Sequence, residues 1–317
     1  SMFTNQSAEL SLNVPSRSVC AVEGDRSRPL FWVGTCSLTS STNAVHLLEY
    51  QEDTNNNDEW TILNTCGHPP GQVWRMAASP LDRTLLLTNG SSSISDTPST
   101  TLWRIPDSTF DPIPSSTNHD DTDNETDSYH NGDQDNDPYN NSNNPYQSNY
   151  NYNTNSSGNH IGMDFPNDVD ESDDSNHRTS MEEITFLPVS SGDGHGLEGR
   201  LTEILWHSDA LEASRTAVVT TLSYTGILSQ WDFESGDAQE LIRIDTTSKS
   251  TSNVMTTVPP RAAWDPHDAN LVSVTNKSGV DTYDTRTGNI CWRLPHCHRL
   301  GGATTDLDWN PNNPHTL

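Results

Sequence analysis

At two places the chain sets an aromatic, an aspartate and, four residues after the aspartate, a glycine at identical offsets. These are Trp231, Asp232 and Gly236 in QWDFESGD (230–237), and Tyr283, Asp284 and Gly288 in TYDTRTGN (282–289). A repeated offset demands the same supersecondary unit twice, so it constrains the fold more than any single residue does. A second marker recurs at Ala78, Trp206, Trp264 and Trp309, each at the end of a short apolar strand and the start of a turn: ASP, WHS, WDP and WNP. Proline in that turn fixes φ and gives no donor to a sheet.

The two markers keep a similar distance. It is 25 residues from Ala78 to Trp103, 25 from Trp206 to Trp231 and 19 from Trp264 to Tyr283, while successive turns lie 58 and 45 residues apart. Between them run short β-branched and aromatic stretches such as PLFWVGT (29–35), TAVVTTLS (216–223) and GVDTYD (279–284), with no sustained helical period. The spacing approximates the WD40 repeat, in which each unit forms one four-stranded blade of a β-propeller. In that frame the aromatic plus Asp closes the third strand of a blade, and the glycine permits the turn to the fourth. Trp103, Trp231 and Tyr283 are the repeat aromatics, Trp231 and Tyr283 are expected to fill space between sheets, and Trp264 and Trp309 mark first strands. Asp232 and Asp284 are expected to accept hydrogen bonds from turn amides.

Blade one reads as 28–68, blade two as 71–106 with its outer strand resumed at 184–189, blade three as 200–245, blade four as 260–295, and the first strand of a fifth follows. A propeller closes only when strands from both chain ends complete one blade. The sequence therefore reads as a fragment or truncated form of a longer protein.

The middle of the chain is different material. Of a formal charge of −28, 18 acidic residues against Arg178 alone fall between Asp107 and Glu183, in a stretch rich in Asn, Ser and Pro. Such a segment cannot bury enough apolar surface to offset ordering entropy, so 107–183 is expected to be a disordered insert between 1–106 and 184–317. DQDND (133–137) hints at a calcium loop, but Pro138 stands where the turn glycine belongs and Asn144 where the closing Glu belongs.

An acidic total argues against nucleic acid and against insertion into an anionic membrane. Five cysteines, Cys20, Cys36, Cys66, Cys291 and Cys297, are odd in number and mostly far apart, which suits reduced thiols in the cytoplasm. SMFTNQSAEL has no basic head followed by an apolar core, so no signal peptide is expected.

FWVGTCSL, QVWRMAASPLD, LWRIP, YDTRTGNICW and TTDLDWNPNN, in that order, resemble the EARP and GARP complex-interacting proteins, a WD40 family. The resemblance implies a seven-bladed propeller acting as a non-catalytic adaptor. It implies partners among endosomal and trans-Golgi tethering complexes, a cytoplasmic location with peripheral association, no cofactor and no small-molecule substrate. This chain departs from the family in its long insert and in stopping one strand into the fifth blade.

Other constellations carry less. CWRLPHCH, with Cys291, His296, Cys297 and His298, is metal-like, but adjacent His296 and Cys297 do not easily reach one zinc ion, so no metal is expected. His298 is instead read as a histidine hydrogen-bonded within its blade, in a network left incomplete by turns without Asp. GDGHGLEG (192–199) has no lysine and no following helix, so it reads as a connector. YDTR (283–286) is similar to the W-D-x-R ending of substrate receptors of cullin-4 ubiquitin ligases, with Arg286 as the residue that would reach the ligase adaptor. A third class, an enzyme on a propeller scaffold, would need charged groups converging on the channel, and the sequence names none.

Overall fold

A computed structural model describes residues 8–52, 59–69, 71–91, 98–111, 179–188, 199–207, 218–247, 258–276, 279–295, 297, 303–313 and 316–317. The described residues form four antiparallel sheets of four strands, each a meander in chain order. The first holds β1 (Ser16–Ala21), β2 (Leu30–Thr35), β3 (Ala44–Gln51) and β4 (Glu59–Gly67). The second holds β5 (Gln72–Ala78), β6 (Leu85–Ser91), β7 (Pro98–Arg104) and β8 (Glu182–Phe186). The third holds β9 (Leu201–Trp206), β10 (Val218–Ser223), β11 (Ile227–Asp232) and β12 (Gln239–Asp245). The fourth holds β13 (Ala262–Trp264), β14 (Leu271–Thr275), β15 (Val280–Asp284) and β16 (Asn289–Leu294).

First strands of consecutive sheets touch: β1 meets β5, β5 meets β9, and β9 meets β13. The sheets therefore stack face to face with their first strands along one inner side, as the blades of a WD40 propeller do. Burial follows from this. Every residue of β10 and of β15 is buried, β10 because a neighbouring sheet lies on each side of its own, whereas the fourth strands β12 and β16 are largely exposed at the rim. Three apolar clusters fill the three seams. Trp32, Leu47 and Val73 lie in the first, Leu87, Ile204 and Val219 in the second, and Leu228, Val272 and Val274 in the third.

The repeat aromatics sit at one kind of place. In each of the last three sheets the pairing of third to fourth strand slips by one residue just before the aromatic, between Leu102 and Trp103, Gln230 and Trp231, and Thr282 and Tyr283. A bulge adds local twist, and twist lets flat strands coil around an axis. Trp103 fills the first seam, Trp231 the second and Tyr283 the third, so each faces the preceding sheet. After β11 and β15 the chain turns through Gly236 at φ 86° and Gly288 at φ 69°, conformations that a residue with a Cβ rarely takes.

Three boundaries differ from the sequence reading. The first sheet begins at Ser16 rather than near residue 28, because SRSVCA is a half-exposed strand with alternating small and polar residues that gives little apolar signal. Secondary structure also continues past residue 107. Asp107–Phe110 forms a 3-10 turn, and Phe110, 1% exposed, meets the edge of Trp32 with ring centroids 6.0 Å apart. Thr179 donates its N–H to the Thr65 carbonyl at 3.2 Å, and β8 starts inside the stretch read as insert. The bulk of that acidic stretch, with the calcium-like run, lies outside the described residues. Finally, residues 303–310 carry no ladder partner among the described residues. Trp309 is nonetheless buried, edge-on to Trp292 at 5.9 Å, at the place assigned to a fifth blade.

Candidate interaction surfaces

The repeat aromatics are tied into polar networks. Trp103 donates its indole N–H to Thr88 Oγ1 at 2.8 Å, and Thr88 lies 3.0 Å from His68 Nε2. His68 Nδ1 lies 2.7 Å from the Gly71 carbonyl. One assignment satisfies all of them: Nδ1–H donates to Gly71, and Nε2 accepts from the Thr88 hydroxyl. The ring is thus neutral, and burial pushes its pKa down to about 4. A histidine inside a blade was expected at His298, which lies outside the described residues. His68 was missed, and a backbone carbonyl takes the part for which an Asp was sought. The signal available was a His-x-x-Gly placed before a strand that carries a threonine.

Asn89 links two blades in the same way. Its amide donates to Thr100 Oγ1 at 2.9 Å and to the Gly199 carbonyl at 3.0 Å, while Leu201 N–H donates back to Oδ1 at 3.1 Å. The side chain is fully buried, so this sequon asparagine is occupied by the fold.

Asp232 and Asp284 occupy equivalent corners. Asp232 Oδ1 accepts from Glu234 N–H at 2.8 Å, and Asp284 Oδ1 accepts from Arg286 N–H at 2.8 Å. Only the second corner carries a guanidinium: Arg286 Nε donates to Oδ1 at 3.1 Å and Nη2 to Oδ2 at 2.8 Å. These bonds from Arg286 hold the Asp284 carboxyl below its ordinary value, and the Arg286 side chain is 67% exposed. Beside it a depression of about 220 Å³ opens along the seam of the third and fourth sheets, lined by His207, Gln230, Ile242, Asn270 and Arg286. His207 forms its back wall, edge-on to Trp264 at 4.7 Å.

A larger groove, about 740 Å³, lies on the outer face of the first sheet. Phe31, Leu48 and Trp60 floor it, with Trp60 5.4 Å from Phe31 and 5.0 Å from Tyr50. Val19 stands at its edge, 66% exposed. Leu10, Val14 and Pro15 form the opposite wall.

Groups that could do chemistry are dispersed. Burial pushes the thiols of Cys20 and Cys66 up to about 12, far from nucleophilic, and Cys291 and Cys297 are exposed. Among the described residues no three His, Cys, Asp or Glu side chains are grouped to hold a metal, and no helix is long and apolar enough to cross a membrane. His267 lies 3.3 Å from the Asn310 carbonyl, its N–H donates to Asp265 at 2.9 Å, and Asp268 accepts from Asn270 N–H at 3.0 Å. The last two are local turn contacts, and the first joins the β13–β14 turn to the segment around Trp309.

No family model matches the chain. A curated relative, the EARP-interacting protein homolog of Danio rerio, is 21% identical over 309 residues, which cover 96% of this chain and 60% of that protein. The crystal structure of the Chaetomium thermophilum Sqt1 is similar at a TM-score of 0.48 and 11% identity, covering 95% of this chain and 52% of that one. The chain thus spans little more than half the length of the proteins it matches. The curated relative is named for an interaction.

Proposed function

We propose that this chain is a non-catalytic scaffold that binds tethering complexes of the EARP and GARP type. It would act in the cytoplasm, attached peripherally to endosomes and the trans-Golgi network, in endosomal recycling and retrograde traffic. The observation that carries the reading is the likeness, end to end along this chain, to a protein named as an EARP interactor. The architecture supports it, because stacked blades offer broad docking faces.

A second reading, a substrate receptor of a cullin-4 ligase, is favoured by one observation: Arg286 is exposed and braced by two side-chain bonds to Asp284. A guanidinium so held is pre-oriented for a partner. One experiment weighs both. The tagged 317-residue chain is immobilised and challenged with purified EARP, GARP and cullin-4 adaptor. Retention of EARP or GARP supports the scaffold reading, and failure of both at micromolar concentration overturns it. Retention of the adaptor, lost on Arg286→Ala with an unchanged melting temperature, would establish the second reading instead.

A further inference from the structure

The inner side of the stack carries a belt of charge at one repeat position. Three residues before Ala78, Trp206, Trp264 and Trp309 stand Arg75, Glu203, Arg261 and Asp306, one from each successive first strand or its equivalent. β1 adds Arg17. These five act on one another: Arg75 feels Glu203, Arg261, Arg17 and Asp306, and Glu203 feels Arg75, Arg261 and Asp306. The belt holds three guanidiniums and two carboxylates, an excess of positive charge in a chain of formal charge −28.

Its donors are not used up. Arg261 reaches Glu203 Oε1 through Nη1, but Arg261 Nε is buried without a hydrogen-bond partner among the described residues. No described residue accepts from the Arg75 side chain, and burial is strong enough to lower its pKa. A guanidinium brings five donors, and a buried one left unpaired, as Arg261 Nε is, is costly. Next to the belt along the chain, Arg200 lies over the Trp74 ring at 4.7 Å. Trp74 immediately precedes Arg75, and Arg200 immediately precedes β9.

We propose that this belt, Arg17, Arg75 and Arg261, receives the side-chain carboxylates of an acidic peptide segment from a partner protein. Carboxylates match the planar fork of arginine two bonds at a time. The small positive excess takes one or two of them. Long nucleic acid and an anionic membrane spread their phosphates far beyond the belt, where they meet the acidic remainder of the chain within a Debye length of roughly 8 Å, whereas a short carboxylate segment stays on the belt. The inference adds a partner chemistry and a site to the scaffold reading and does not depend on which complex is bound.

The test is fluorescence anisotropy of fluorescein-labelled hexaglutamate titrated with the 317-residue chain at 150 mM NaCl, with labelled hexalysine and hexathymidylate as controls. Saturable binding of hexaglutamate alone is expected, weakened about tenfold by Arg75→Gln. Glu203→Gln, which removes a competing carboxylate, is expected to tighten it several-fold. If the belt only ties blades together, Glu203→Gln instead leaves binding absent or weakens it along with Arg75→Gln. Absent saturation, equal binding of hexathymidylate, or an Arg75→Gln chain that binds like the parent would overturn the proposal. Should Arg75→Gln fail to melt cooperatively, the sign of the Glu203→Gln change decides alone. Loss of tethering-complex retention with hexaglutamate binding intact would sink the scaffold reading and leave this site standing.

Discussion

Trp103 in the second sheet and Trp231 in the third begin alike and end differently. Each donates its indole N–H to a threonine on the second strand of its sheet, Thr88 at 2.8 Å and Thr221 at 2.9 Å. Thr88 then continues to His68 and the Gly71 carbonyl, whereas among the described residues Thr221 continues to the Ser229 carbonyl, at the long distance of 3.5 Å. The shared pair is the repeating structural device, and among the described residues the continuation to a histidine is seen in the second sheet, where it ties that network to proton concentration.

The comparison breaks most visibly if either ring is removed. Trp103→Ala and Trp231→Ala should each cost about 3–5 kcal/mol by emptying a buried seam, read as a fall in urea midpoint. A much larger loss for one would mean that the two seams are not equivalent.

Acid comes next. His68 has a depressed pKa, so the folded chain holds fewer protons than the unfolded one below the unfolded value. Its contribution is therefore complete above pH 6.5 and is lost as pH falls towards about 4, by roughly 3 kcal/mol over that window. Stability measured against pH for the parent and for His68→Gln should diverge there. Parallel curves would show that His68 takes up its proton without leaving the network.

The smallest effect is the sharpest. Thr88→Val strands both the Trp103 N–H and the His68 Nε2, while Thr221→Val strands the Trp231 N–H alone. The first should cost about 1–2 kcal/mol more than the second. Equal costs would place the histidine outside the network.

Much of the fold was legible because the marker residues are the ones geometry restricts. A ring must fill each seam at the bulge, and a glycine must take positive φ at 236 and 288. What stayed hidden was edge material. β1 is half exposed, and the strands β12 and β16 face solvent on the rim, so their apolar signal is weak. Phe110 was read as insert because its local composition is acidic, yet it packs on Trp32 from a distant part of the chain. At the candidate surfaces, Arg286 could be picked from its motif, but nothing in the motif tells that its head rests on Asp284. The charge belt was written in the sequence at a constant offset from the turn marker, and needed the first strands to be seen side by side before it meant anything.

β7 and β8 are neighbours in the second sheet although Arg104 and Glu182 stand far apart along the chain. During synthesis, then, this blade must wait with three strands and an unsatisfied edge on β7 while the ribosome finishes the acidic stretch, after the first sheet already has all four of its own. Closure entropy grows only with the logarithm of the intervening length, so halving that stretch would gain about 0.6 kcal/mol at equilibrium. Its greater effect would be on timing: a shorter delay leaves less opportunity for the waiting edge to pair with another nascent chain.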